Sequence, residues 1–140
     1  MRPRGCSIRA VKRGQTATEF ALVTGVFLLA LFAIIEMAQA VFAYNTICEA
    51  AQEAARYAMV HSPTSANPAT TSQIQQVAID SAVSLNLTQN DVSVSWPADG
   101  NLPSKNDAQV SVSYNYMLRM PFMSPITLTL SGSAQTLVSQ

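Results

Sequence analysis

The sequence predicts an α+β chain: a long N-terminal helix, first apolar and then amphipathic, followed by a short helix packed on a small antiparallel sheet of three or four strands. Two patterns predict it. An uncharged apolar run from Phe20 to Ile35 continues without a helix breaker into residues spaced by three and four, and the last third of the chain alternates with period two. Composition agrees: of 140 residues, 49% are apolar and only 11% are charged, against about 25% charged in an ordinary soluble domain. That limits the chain to one small domain and excludes a disordered one.

Charge is distributed unevenly. Arg2, Arg4, Arg9, Lys12 and Arg13 are five of the eight basic residues, and all eight acids come later, so the formal net charge of zero joins a basic tip to an acidic body. A basic tip can meet nucleic acid or anionic lipid, or it can set membrane topology. The sixteen uncharged residues after it, Phe20 to Ile35, are mostly Leu, Val, Ile and Phe. At about −0.3 to −0.6 kcal/mol for each such residue, insertion into a bilayer is favoured by several kcal/mol. With the flanking residues the span runs over 15–41, long enough for a hydrocarbon core of about 30 Å. The positive-inside rule then holds the N-terminus in the cytoplasm and sends the remainder across the membrane. No basic residue falls near a recognition element, so nucleic acid is not expected as a partner.

Beyond the apolar run the helix continues. Met37, Ala40, Val41, Tyr44, Ile47, Cys48, Ala51, Ala54, Ala55 and Ala58 fall on one helical face, and Gln39, Asn45, Thr46, Glu49, Gln52, Glu53 and Arg56 on the other. From Thr16 to Val60 there is no Pro, and Gly25 is the only Gly, so one helix of about 67 Å is expected. Its Ala-rich stripe over 42–61 lets a sheet or another helix approach closely. Ala21 and Gly25 form a small-xxx-small pair that could seat a neighbouring helix.

Ser62 and Pro63 end this helix, and 63–71 reads as a turn-forming link to the domain over 62–140. Ser72 and Gln75 are spaced as a capping box, and Ile74, Val77, Ala78, Ser81, Ala82 and Leu85 predict a short amphipathic helix over 72–86. Alternation then predicts one-sided strands through Val92, Val94 and Trp96, through Val110, Val112, Tyr114 and Tyr116, and through Ile126, Leu128 and Leu130. A fourth strand is expected over 133–138. Asp99, Gly100 and Asn101 supply a turn between the first two strands, and Pro121 and Pro125 interrupt the path to the third. The apolar face of the sheet requires a cover, which the two helices can supply.

A catalytic set is absent from the sequence, so no enzymatic activity, cofactor or metal is expected. His61, the only histidine, stands at a helix end with no nucleophile near it in sequence, and Cys48 lies on the apolar stripe. Asp99, Asn101, Asn106 and Asp107 carry oxygen ligands without the fixed spacing of a Ca²⁺ loop, and read as turn residues.

Three fates fit the N-terminal segment. Ala38, Gln39 and Ala40 have the small-x-small form of a secretory cleavage site, although Glu36 lies just before it. A plain uncleaved anchor, carrying an extracytoplasmic binding module, is the second. For the third, Gly14 closes the basic segment and is followed by Gln15, Thr16, Ala17, Thr18, Glu19 and Phe20, which places a carboxylate at the start of the apolar run. This arrangement resembles the processing site of type IV prepilins. Together with the downstream run Ala50, Ala51, Gln52, Glu53, Ala54, Ala55, Arg56, the stretch from Gly14 to His61 resembles the TadE-like pseudopilins of the tight-adherence pilus system.

The resemblance implies that residues 1–14 are a leader removed by a membrane prepilin peptidase, which leaves Gln15 as the mature N-terminus. It also implies that Glu19 and Phe20 serve assembly and register with other pilin and pseudopilin subunits and the assembly platform, in the bacterial cytoplasmic membrane or in the pilus itself. Major pilins of that system are far shorter, so the length after His61 points to a minor component. The physics of Glu19 is compatible: a carboxylate at the edge of a bilayer span requires a cation, and cleavage would create an α-amine four residues away, about 6 Å along the helix. Glu36 lies about 26 Å further up that helix, where it marks the outer membrane face.

Overall fold

A computed structural model describes the chain over residues 8–63, 65–96 and 107–137, with side-chain surroundings from Gly14 onward. One continuous helix, α1 (Ile8–Val60), is followed by α2 (Thr71–Ser81), a 3-10 turn (Gln89–Asp91) and three strands, β1 (Val92–Ser95), β2 (Asp107–Leu118) and β3 (Ile126–Leu137). The strands form an antiparallel sheet in chain order with β2 at its centre. This is the expected α+β arrangement. The turn expected at Asp99–Asn101 lies outside the described residues.

The Ala-rich face of α1 is the floor of the core. Ile47, Ala50, Ala51, Ala54, Ala55 and Ala58 are buried against Ile74, Ala78 and Ala82 of α2 and against Val92, Ala108, Val110 and Val112 of the sheet. The stripe is narrower than its periodicity suggests. Ala40 and Ala43 are buried, whereas Met37, Val41 and Tyr44 are exposed, because the sheet covers only one side of the helix at that level. Small residues meet small residues across the interface. The β3 column facing α1 shrinks from Leu128 and Leu130 to Gly132 and Ala134, which pair with Val112 and Val110 of β2. A Cβ on Gly132 would stand 3.1 Å from both the backbone N and the Sγ of Cys48, so the close approach of β3 to the helix backbone favours glycine there, and a side chain would have to push the strand or the helix aside by a few tenths of an ångström. Further up, Thr136 Oγ1 donates to the Ala55 carbonyl at 3.2 Å.

α2 differs from expectation in register and length. The capping box is Thr70 with Gln73: the Thr70 N–H donates to Gln73 Oε1 at 2.9 Å, and the Gln73 N–H donates to Thr70 Oγ1 at 3.4 Å. The sequence offers two boxes, two residues apart, and tertiary structure selects the earlier one. That leaves Gln75 free to donate to the carbonyls of Val92 (2.8 Å) and Gln89 (3.2 Å), tying α2 to the start of β1. The helix ends at Ser81, short of the expected 86, where the Ala82 N–H bonds back to the Ala78 and Ile79 carbonyls. Leu85 and Leu87 then pack on the core from the following turns. The expected fourth strand over 133–138 is, through residue 137, the continuation of β3, whose twelve residues pair with the whole of β2; residue 138 lies outside the described residues. Gly132 interrupts the alternation of bulky residues, which made one strand look like two.

Two substitutions test this packing in the full chain in detergent, with thermal unfolding followed by the fluorescence of Trp96, the chain's one tryptophan. Gly132→Val forces β3 off α1 at Cys48 and is expected to lower stability by about 1–3 kcal/mol. Ile47→Ala leaves a cavity beneath the sheet and is expected to cost about 2–5 kcal/mol.

Candidate functional site

The residues singled out by sequence fall in two places on α1. Gly14, Gln15, Glu19 and Phe20 lie in its N-terminal part, all exposed. The Gln15 side-chain amide donates to Glu19 Oε1 at 3.3 Å, so the carboxylate has a neutral partner one helical turn away in the uncut chain. Thr18 Oγ1 donates to the Gln15 carbonyl at 2.8 Å and approaches that of Gly14 at 3.3 Å. The Gly14–Gln15 peptide bond is therefore helical. Gly14 weakens the helix there, since a mid-helix Gly costs about 1 kcal/mol relative to Ala.

The second group is architectural. Ala50, Ala51, Ala54 and Ala55 are fully buried under the sheet and α2. Glu53 and Arg56 point outward as an exposed pair, 3.9 Å apart. The alanines of the motif are thus the surface that admits the sheet, and its charged residues face away from it. His61 stacks on the Tyr57 ring, with centroids 4.2 Å apart, and its Nδ1 lies 3.2 Å from the Tyr57 carbonyl. It belongs to the helix end, as expected. Cys48 is half-buried against Gly132. Hydrogen bonding to that thiol raises the Tyr44 phenol above its ordinary value.

Sequence reading missed how far the sheet extends down the helix. The Tyr116 hydroxyl donates to Glu36 Oε2 at 3.1 Å and lies 3.4 Å from Gln39 Oε1. Burial, followed by the bond to Glu36, raises the Tyr116 phenol above its ordinary 10.0. The phenol proton that makes this bond is therefore held throughout the physiological range and lost only as pH rises beyond that value. Below Tyr116 the β2–β3 hairpin continues: Pro121 and Phe122 flank a notch of about 340 Å³ whose other walls are Gly25, Leu28, Leu29 and Phe32 of α1. The small-xxx-small position Gly25 therefore faces the hairpin tip. Period-two spacing did reveal the hairpin, but nothing in the sequence gave its reach.

The helix from Gly14 to Val60 contains a window long and apolar enough to cross a membrane, and 0% of that window is buried by the rest of the chain. A core helix of a soluble protein would be covered. Length and composition therefore suit a single-pass anchor. Among the described residues no three His, Cys, Asp or Glu side chains come together as a metal site. Of the oxygen ligands considered for Ca²⁺, Asp107 is buried at the start of β2, and the other three lie outside the described residues.

No curated protein and no solved structure matches the chain. Residues 14–56 match the family model described as TadE-like protein, a match that begins at the Gly14 site and ends at Arg56 of the alanine motif. This stretch is thus TadE-like, consistent with a TadE-like protein of the tight-adherence pilus system.

Proposed function

We propose that the protein is a minor pseudopilin with a structural, non-catalytic role in assembling a tight-adherence pilus or a related secretion filament. The observation that carries this reading is the TadE-like match over 14–56 on an unbroken helix whose lower half is uncovered and apolar and whose upper half bears the sheet. The lower half anchors the chain in the bacterial cytoplasmic membrane, with the N-terminus inside and the sheet domain outside. The prepilin peptidase cuts after Gly14, where a glycine inside the helix lets the backbone open locally to an extended form.

Cleavage changes the electrostatics of the stem. Before it, the Gln15 side-chain amide donates to Glu19 from one turn away. After it, Gln15 carries an α-amine, and a carboxylate in an apolar surrounding binds a cation far more strongly than a neutral amide. In the filament, the amine of one subunit and Glu19 of the next would fix axial register, with Phe20 beside them in the contact.

Intact-mass analysis of the protein from membranes tests the processing step. A mature chain starting at Gln15 is expected when the peptidase is active, with Met1 retained when it is absent; a start at Val41 would mark a secreted domain and overturn the proposal. Glu19→Ala is expected to leave membrane insertion and protein level intact while lowering the number of pili counted by electron microscopy. Normal piliation in that variant would remove the register role.

A further inference from the structure

The hairpin tip lies beside the apolar half of α1, far below the level at which an extracytoplasmic domain would ordinarily stop. Phe122 and Pro121 share a notch with Gly25, Leu28, Leu29 and Phe32. These helix residues stand 4 to 11 positions before Glu36, about 6–16 Å further down the axis. If the apolar run of α1 is in lipid, the tip beside it is at the same depth.

The chemistry of the tip suits that place. Phe122 is 97% exposed, and Met117, Met123, Ile126 and Leu128 are about half exposed, although nothing in the described chain covers them. From Tyr116 to Leu130 the only charge is Arg119, whose long side chain can reach upward to lipid headgroups. Backbone polarity is the usual obstacle to putting a turn in lipid, because each unsatisfied N–H costs several kcal/mol. Here Pro121 and Pro125 have no N–H, and the Met123 N–H bonds to the Met120 carbonyl at 3.4 Å. Between the tip and the headgroup level, Leu118 to Tyr116 pair with Ile126 to Leu128, so the two strands satisfy each other along their shared edge. Phe122 itself adopts φ 67°, a left-handed conformation costly for a bulky residue. The apolar gain of placing its ring in lipid offsets that cost.

From this we infer that the β2–β3 hairpin tip, residues 119–125, is a second membrane-inserted element, seated among acyl chains of the outer leaflet against α1, with the Tyr116–Glu36 bond at the headgroup boundary. The inference rests on the anchor reading of α1. Its ligand is lipid; a second copy of the chain on the same apolar patch is the competing outcome.

The test uses the full chain in phosphatidylcholine–phosphatidylglycerol vesicles at low protein-to-lipid ratio, with lipids brominated at defined acyl positions as quenchers. Phe122→Trp, Met123→Trp and Phe32→Trp are each introduced singly, and the quenching of the unaltered chain, which reports Trp96, is subtracted. Phe122→Trp and Met123→Trp are expected to lose emission to the same bromine position as Phe32→Trp. Loss at Phe32→Trp with none at either tip position overturns the inference while leaving the anchor standing. A blue-shifted but unquenched tip tryptophan also overturns it, in favour of a protein partner. No loss at any position overturns the anchor reading, and the inference with it.

Discussion

The architecture depends on how closely β3 approaches the backbone of α1. At Gly132 the strand passes Cys48 so closely that a methyl group would stand 3.1 Å from its backbone N and Sγ, and from there upward the helix offers Ala50, Ala51, Ala54, Ala55 and Ala58. Interfaces of small residues gain little from each side chain. Their stability comes from the many short-range contacts that two close backbones make, and from having few side-chain rotamers to freeze. Such an interface tolerates little change in volume. It therefore fixes the height of the sheet on the helix, and with it the levels of Tyr116 and of the hairpin tip.

One helix serves two environments. From Phe20 to Ile35 its surface is uncharged and largely exposed; above residue 43 one Ala-rich stripe is buried, and the protein's own sheet and α2 cover that stripe. The change needs no interruption of the backbone, since α1 runs unbroken from Ile8 to Val60. A continuous helix transmits position rigidly, so whatever fixes its lower end in a filament or bilayer also orients the sheet.

Glu36 sits at the join. Read alone, a carboxylate at the end of an apolar run is a boundary marker that wants water. In the folded chain it accepts a hydrogen bond from Tyr116, a partner eighty positions away, which lets the carboxylate remain at the edge of the apolar zone while the hairpin descends past it. A hydrogen bond to a charged acceptor is stronger than a neutral one, and partial burial strengthens it further.

The sequence by itself determined what local periodicity and chemistry can encode: the long helix with its end at Ser62–Pro63, the Ala face, the short helix, the alternating strands and the Gly14–Glu19 constellation. Each of these is written within a few turns or a few strand residues. Tertiary structure decided between local options of nearly equal energy. It took Thr70–Gln73 over Ser72–Gln75 because that register frees Gln75 to reach β1, and it joined two apparent strands into β3 because Gly132 is the contact point with the helix. It also decided how far the hairpin descends. That distance follows from the register of β3 against α1, a relation between residues some eighty positions apart that no period within either segment records.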